Sequence, residues 1–313
     1  MLKRLLDRVI GRVRVQAAIP ADFVRIRDVS SFLPILDRIE REASDDGDLR
    51  ARLARVRLES PELERLSSLD PFSSAYRDEL LALYERLFGR RHDVVREGMT
   101  YDIEHELRHP FPFAQGSAFI TGSYIVAYGF LIRVLGLAPG SRILEVGCGS
   151  GALTWFLARV GYRVTALEIN PSGAELTRRY CAGIDPAPRV EAVAYEAFDP
   201  GEERYDAVVF FESFHHMLDP VDALHRCTSL IAPGGVVALA AEPIVPAGSP
   251  IVPYPWGLRT DGESLRAMAK FGWIELGFQE PYLAELVRRG GWRAEPCGIA
   301  DNPWAQVRLL RRN

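Results

Sequence analysis

Ile143-Leu-Glu-Val-Gly-Cys-Gly-Ser-Gly151 decides the fold. The apolar run Arg142–Val146 ends in glycines at alternate positions, Gly147, Gly149 and Gly151, and Ala152–Val160 then continues at helical spacing. A strand that breaks into a glycine-rich turn and restarts as a helix opens a βαβ unit, whose ligands sit at the carboxyl ends of the strands. Glycine lacks a Cβ, so the backbone there can approach a ligand closely. The next strand candidate, Arg163–Glu168, ends on a carboxylate, which suits the two hydroxyls of a ribose.

Outward from this unit the alternation persists. Arg189–Ala194, Ala207–Phe211 and Val236–Ala240 read as strands, and Ser172–Tyr180 and Val221–Leu230 as helices between them. Such alternation predicts an α/β fold with a parallel sheet covered on both faces. Downstream, a helix near Pro281–Arg289 precedes strands near Arg293–Cys297 and Ala305–Leu310, close enough in sequence for an antiparallel hairpin at the sheet edge. Upstream, an apolar helix from Gly122 to about Leu135 stops at Leu137-Ala-Pro-Gly140. The N-terminal third reads as mostly helical: a charged helix over Leu49–Leu58 after the polar break 44–48, and another over Ser73–Phe88 stopped by Gly89. The expected organisation is a helical extension (1–98), a lid or linker (99–134), and a catalytic domain (135–313) with an insertion near 243–280.

The bulk numbers are those of an ordinary soluble globular protein: 313 residues, 48% hydrophobic, 26% charged, net charge -4. That balance gives no support to a nucleic-acid partner. Cys148, Cys181, Cys227 and Cys297 are scattered without C-x-x-C pairing, which points away from a zinc site or disulfide framework and toward a reducing, cytoplasmic setting. No apolar run is seen to approach the roughly 18 residues of a membrane span. In MLKRLLDRVIGRVRV, arginines interrupt the apolar residues, so a signal peptide is rejected. Leu2, Leu5, Leu6, Val9, Ile10 and Val13 share one helical face, with Lys3, Arg4, Arg8 and Arg12 opposite. A docked structural helix is the first reading. A helix lying peripherally on the inner face of an anionic membrane is the second.

The spacing Glu145-x-Gly147-x-Gly149-x-Gly151 departs from the G-x-G-x-x-G of nicotinamide binders, which seat a pyrophosphate at a helix N-terminus. S-adenosylmethionine (SAM) carries no phosphate. From about Gly122 to Leu239 the sequence resembles class I SAM-dependent methyltransferases. Glu145, Gly147, Gly149 and Gly151 match that family's SAM-binding loop, and Glu168 its ribose-binding acid. Tyr205–Phe211 resembles its fourth strand, and Leu230-Ile-Ala-Pro-Gly-Gly235 the turn before its fifth. Glu196, in Ala194-Tyr-Glu-Ala-Phe198, is the best match to the acid that binds the adenine amine, although the usual Asp is absent. The resemblance implies a Rossmann-like seven-stranded sheet and SAM as the cofactor.

In that family the residues after the fourth strand face the transferred methyl group; here they are Glu212-Ser-Phe-His-His-Met217. The Asn/Asp-Pro-Pro-Tyr/Phe motif is missing, which points away from DNA or glutamine methylation. A neutral hydroxyl is a poor nucleophile, and histidine is the commonest base near neutrality. His215 and His216 are therefore candidate bases, His215 placed first because it lies nearer the strand end. A histidine pair at a helix start also packs or caps. Glu212 is expected to orient a histidine, bind a substrate hydroxyl or satisfy backbone amides. Glu242, just past the fifth strand, is expected at the same rim, on the substrate side. Glu212, His215 and Glu242 as ligands of a divalent metal are the lesser alternative, since the spacing is not diagnostic.

Two further segments are rich in binding-type residues. Tyr101–Phe113 with Ala-Gln-Gly-Ser117 stands where related enzymes place a lid. Pro253–Glu263 offers the flat faces of Tyr254 and Trp256 beside the hydrogen-bonding Arg259, Asp261 and Glu263, a combination suited to a sugar, or equally a Pro-stiffened loop packing its own aromatics on the surface. Pro110–Gly116, Glu242-Pro243, Pro253–Glu263 and Phe271–Glu280 also resemble bacterial methyltransferase domains associated with glycosyltransferases and surface-polysaccharide synthesis. That context implies O-methylation of a saccharide or glycan intermediate, and association with a glycosyltransferase through the N-terminal helix. The alternatives are a natural-product or lipid-headgroup methyltransferase and a non-catalytic SAM-fold scaffold. The sequence is silent on oligomeric state.

Overall fold

The computed structural model describes residues 24–313 apart from residue 45, so the expected helix over Leu2–Val13 lies outside the described residues. The strands are β1 (Val24–Ile26), β2 (Val56–Leu58), β3 (Arg142–Val146), β4 (Arg163–Glu168), β5 (Arg189–Ala192), β6 (Tyr205–Phe211), β7 (Ile231–Ala240), β8 (Ile244–Val245), β9 (Trp256–Leu258), β10 (Leu276–Gln279), β11 (Trp292–Gly298) and β12 (Gln306–Arg312). Seven of them form the main sheet, in the order β11-β12-β7-β6-β3-β4-β5. From β3 to β7 the pairing is parallel, while β12 runs antiparallel to both β7 and β11. The C-terminal hairpin therefore closes the edge as the sequence predicts, with β12 as the strand that joins the sheet.

Period-two side-chain alternation explains why the sheet needs cover on both faces. Ala207 and Val209 of β6 enter one core with Tyr128 and Leu131 of helix Ala118–Leu135 and with Leu153 and Leu157 of helix Ala152–Arg159. Val208 and Phe210 enter the other, with Leu224 and Cys227 of helix Pro220–Leu230 and Leu283 and Leu286 of helix Glu280–Arg289. The chain order reverses at β3, whose neighbours are β4 and β6, so the crevice at its carboxyl end is the expected ligand position.

Three expectations are corrected. Leu49–Leu58 is not one helix: helix Asp46–Leu53 ends and β2 begins at Val56. Val56 and Leu58 are buried with Arg57 between them, a period of two, and β2 pairs in parallel with β1 while the Leu58 amide donates to Thr260 O at 3.0 Å. The insertion after β7 is not a long loop. It holds β8, β9, helix Gly262–Phe271 and β10, with β10 central in a sheet of order β8-β10-β9. Finally, helix Ala118–Leu135 is 18 residues of mean hydropathy 1.6, long and apolar enough to cross a membrane by length and composition. Thr121, Gly122 and Ser123 hide that run in the sequence. Here the helix lies on the main sheet through Tyr124, Ala127, Tyr128, Leu131 and Leu135.

The N-terminal helices and the insertion pack as one body. Tyr76, on helix Ser74–Phe88, stacks on Trp256 with ring centroids 5.3 Å apart, and the Tyr84 hydroxyl donates to Gly272 O at 2.9 Å. Helix Ser74–Phe88 starts and stops as its sequence dictates: the Ser73 side chain accepts from the Tyr76 amide, and Gly89 closes it at φ 63°.

Candidate active site

A cleft of about 660 Å³ opens at the carboxyl ends of β3, β4 and β6, within the size range of small-molecule sites. Its floor is the glycine turn. Gly147, Gly149 and Gly151 all adopt left-handed conformations, with φ 73°, 54° and 80°. The three are needed for different reasons. A Cβ on Gly147 would lie 2.8 Å from Ser213 Cβ, and one on Gly151 would lie 2.7 Å from Thr177 Oγ1, so these two let the turn pack against β6 and against helix Pro171–Tyr180. Gly151 does not line the cleft, which corrects its placement as a ligand contact; Gly149 does, beneath the Tyr101 hydroxyl.

Glu168 ends β4 at the cleft. Its Oε2 accepts from the Gly149 amide at 2.8 Å and its Oε1 from the Asn170 amide at 3.0 Å. Burial pushes this carboxyl up, against those two amides. The Ile169 backbone adds a third donor, which leaves the carboxylate about one acceptor position for a further group. Glu145 also lines the cleft, accepts from Thr154 Oγ1 at 2.6 Å, and is raised by burial to about 7. Glu196, in the turn Tyr195–Ala197, is exposed and reaches the same cleft.

Beyond β6 the expected rim residues separate into a cleft wall and a buried layer. Glu212 sits on the wall at φ 50°, a backbone strain that non-glycine residues carry mainly at functional positions. Its Oε2 accepts from the Tyr124 hydroxyl at 2.8 Å, and burial raises the carboxyl to about 7. His216 lines the cleft, its Nδ1 bonded to Glu97 Oε2 at 2.9 Å. His215 does not. It is buried behind the wall, with Nδ1 2.8 Å from Glu242 Oε2. Burial lowers its pKa, helped by the neighbouring His216. The order of preference between the two histidines is thus reversed: the short helical turn Phe214–His216 points the second ring, not the first, at the cleft.

Glu242 is not a rim group. It is buried and accepts from the amides of Ser213, Phe214 and His215 at 2.9–3.0 Å, as well as from His215 Nδ1. Burial pushes its carboxyl up, but His215 and the amides outweigh that and hold it below the usual range. It fixes the turn that carries both histidines. The proposed metal set Glu212, His215 and Glu242 is not assembled, since Glu212 turns to Tyr124 and Glu242 to the turn. A different trio does converge among the described residues: one ring nitrogen each of His215 and His216 and a Glu275 oxygen lie within 4.8 Å of one another. The Arg259 guanidinium, 3.5 Å from that same Glu275 Oε2, already supplies it with a cation.

The sugar platform predicted over Pro253–Glu263 is absent. Tyr254 and Trp256 are buried in the core, and neither lines the cleft. Trp256 Nε1 donates to Pro71 O at 2.8 Å. Arg259 pairs with Asp261 and Glu275, and Asp261 caps helix Gly262–Phe271 by accepting from the Ser264 amide. Aromatic and polar residues in a Pro-rich stretch gave no sign of which way they faced.

Two cleft residues, Trp273 and Glu97, had no site role expected from the sequence, while a third, Tyr101, opens the expected lid segment. Tyr101 covers the glycine turn and takes its place through its amide, which donates to Ser172 Oγ at 2.9 Å. Trp273, just before β10, is the tryptophan that does face the cleft, edge-on to His216. Glu97 has no motif to mark it.

With this geometry in view, comparison with known proteins is informative for the central third of the chain. Residues 144–237 match the family described as "Methyltransferase domain". A ubiquinone biosynthesis O-methyltransferase of Alkalilimnicola ehrlichii is 34% identical over 109 residues, 34% of this chain and 44% of that protein. One of Xanthomonas campestris pv. campestris is 36% identical over 112 residues, 35% of this chain and 46% of that one. The chain thus spans less than half the length of these curated relatives. Among solved structures, the 1,6-didemethyltoxoflavin-N1-methyltransferase of Burkholderia thailandensis, with S-adenosylhomocysteine bound, is 22% identical at a TM-score of 0.44, covering 67% of this chain and 83% of that one. The DhpI-SAH complex is 18% identical at a TM-score of 0.47, covering 67% and 95%. Residues 144–237 thus carry the sequence pattern of a methyltransferase domain.

Proposed function

We propose that the protein is a SAM-dependent O-methyltransferase acting on a hydroxylated ring compound. The observation that carries the proposal is the charge of the cleft. Glu97, Glu106, Glu145, Glu168, Glu196 and Glu212 line it, and among its described lining residues there is no Lys or Arg. Such a wall suits a sulfonium cation and a ribose, and repels the pyrophosphate of a dinucleotide. When bound, SAM supplies an electrophilic methyl group. Glu168 would accept from a ribose hydroxyl, Glu196 from the adenine amine, and the left-handed turn at Gly147 and Gly149 would keep the floor open.

His216 is the group that takes the acceptor's proton, since it alone of the histidine pair reaches the cleft. A saccharide is the acceptor placed first. Trp273 lines the cleft where Trp256 does not, and Glu212, His105 and His109 offer hydrogen bonds. A phenolic acceptor is the second reading, supported by the O-methyltransferase relatives and by the apolar lining of Met99, Phe111 and Phe211. Label transfer from SAM to panels of neutral sugars, glycolipids and phenols separates the two.

Calorimetry tests the cofactor half without an acceptor. SAM and S-adenosylhomocysteine should bind, and Glu168→Ala should weaken both by about 1–3 kcal/mol, the worth of hydrogen bonds to a charged group. Tight NAD binding with no SAM binding would sink the proposal.

A further inference from the structure

Glu97 lies well ahead of the segment that matches the methyltransferase family, yet its carboxylate carries three hydrogen bonds in the cleft wall. Its side chain is 8% exposed. Oε2 bonds His216 Nδ1 at 2.9 Å, Oε1 accepts from the Ile274 amide at 2.8 Å, and Oε1 also bonds His92 Nε2. Three separate parts of the chain meet on this one group: the 94–97 turn, the turn after β6, and the approach to β10.

We infer that Glu97 is the positioning residue of the methyl-transfer base, holding His216 by Nδ1 and leaving Nε2 to receive the acceptor's proton. The inference rests on the proposed O-methyl transfer and says which nitrogen performs it. Bonded to a carboxylate, Nδ1 is the protonated nitrogen of the neutral ring, so the lone pair resides on Nε2. The bond also fixes ring orientation, and the charge stabilises the imidazolium formed as the proton arrives. Glu97 is itself anchored by the Ile274 amide and His92, so the site depends on the N-terminal extension and the insertion as well as on the matching domain.

Other charges also face His216. Glu275 comes from the approach to β10, Glu242 from the end of β7, Glu168 from the end of β4, and His215 from the same turn; Arg259 offsets Glu275. Burial pulls His216 down, and the bond to Glu97 with the surrounding carboxylates outweighs it, so its pKa is raised.

The test is nitrogen-detected NMR of the full chain with labelled histidine, which needs no acceptor. The chain has six histidines, and His216 is assigned by its loss in His216→Asn. In the unmodified protein the neutral His216 ring should carry its proton on Nδ1 and titrate above the ordinary histidine value of about 6.5. Glu97→Gln, which keeps an acceptor oxygen but removes the charge, should move that titration to lower pH; Glu97→Asp should restore it in part. A neutral ring protonated on Nε2 in the unmodified protein overturns the inference, whether or not Glu97→Gln folds. So does a Glu97→Gln variant whose His216 titrates unchanged. Loss of SAM binding in the unmodified protein would instead remove the functional reading on which it rests.

Discussion

Trp256→Ala should cost about 3–5 kcal/mol of folding free energy, the range for deleting a buried large aromatic. Trp256 is 1% exposed, with its ring between those of Tyr76 and Tyr282, at centroid distances of 5.3 and 5.8 Å. Truncation empties that stack and leaves the Pro71 carbonyl without its indole donor. Domains carry only about 5–15 kcal/mol in all, so the variant should melt far below the unmodified protein. Trp256→Phe, which keeps a stacked ring and loses the indole bond and part of the packed volume, should be milder. Once folded at low temperature, both should bind SAM normally, because Trp256 stands outside the cleft. Chemical denaturation followed by fluorescence gives the first number, and calorimetry the second. An unchanged stability with lost acceptor binding would restore the sugar-platform reading of this residue.

That contrast shows what the chain discloses about itself. The glycine turn, β3 and β4 were legible to the residue because their signals are local: a strand's period, a turn's glycines, an acid at a strand end. The C-terminal hairpin was legible because its strands are close in sequence. The orientation of Tyr254 and Trp256 was not, since it is set by Tyr76 from a helix far upstream. The same holds for Glu97, which acquires meaning only when the chain brings it to His216. Among the histidines, spacing along the sequence favoured His215, but the Phe214–His216 turn, pinned by Glu242, rotates it inward. Glu242 itself read as a rim acid because its strand end is at the rim; its side chain instead satisfies three buried amides.

His216→Ala should lower turnover by about two to four orders of magnitude, the usual worth of a positioned general base. SAM affinity should change far less than turnover, because the groups proposed to hold SAM, Glu168 and the glycine turn, sit at the ends of β4 and β3 rather than on the histidine turn. The unmodified enzyme should gain activity with rising pH. The base works only in its neutral form, and the raised pKa of His216 places the inflection above the ordinary histidine value of about 6.5. His215→Ala should behave differently. It strips a partner from the buried Glu242 carboxylate, so its main effect should be a stability loss of about 1–3 kcal/mol. EDTA should leave turnover unchanged, since Arg259 already supplies a cation to Glu275, the carboxylate that converges with a ring nitrogen of each histidine. The measurement is labelled methyl transfer from SAM to an acceptor found by the screen of sugars, glycolipids and phenols. If His216→Ala retains near-normal turnover while Glu212→Gln abolishes it, the proton passes to Glu212, whose carboxyl burial has raised to about 7 on the same wall.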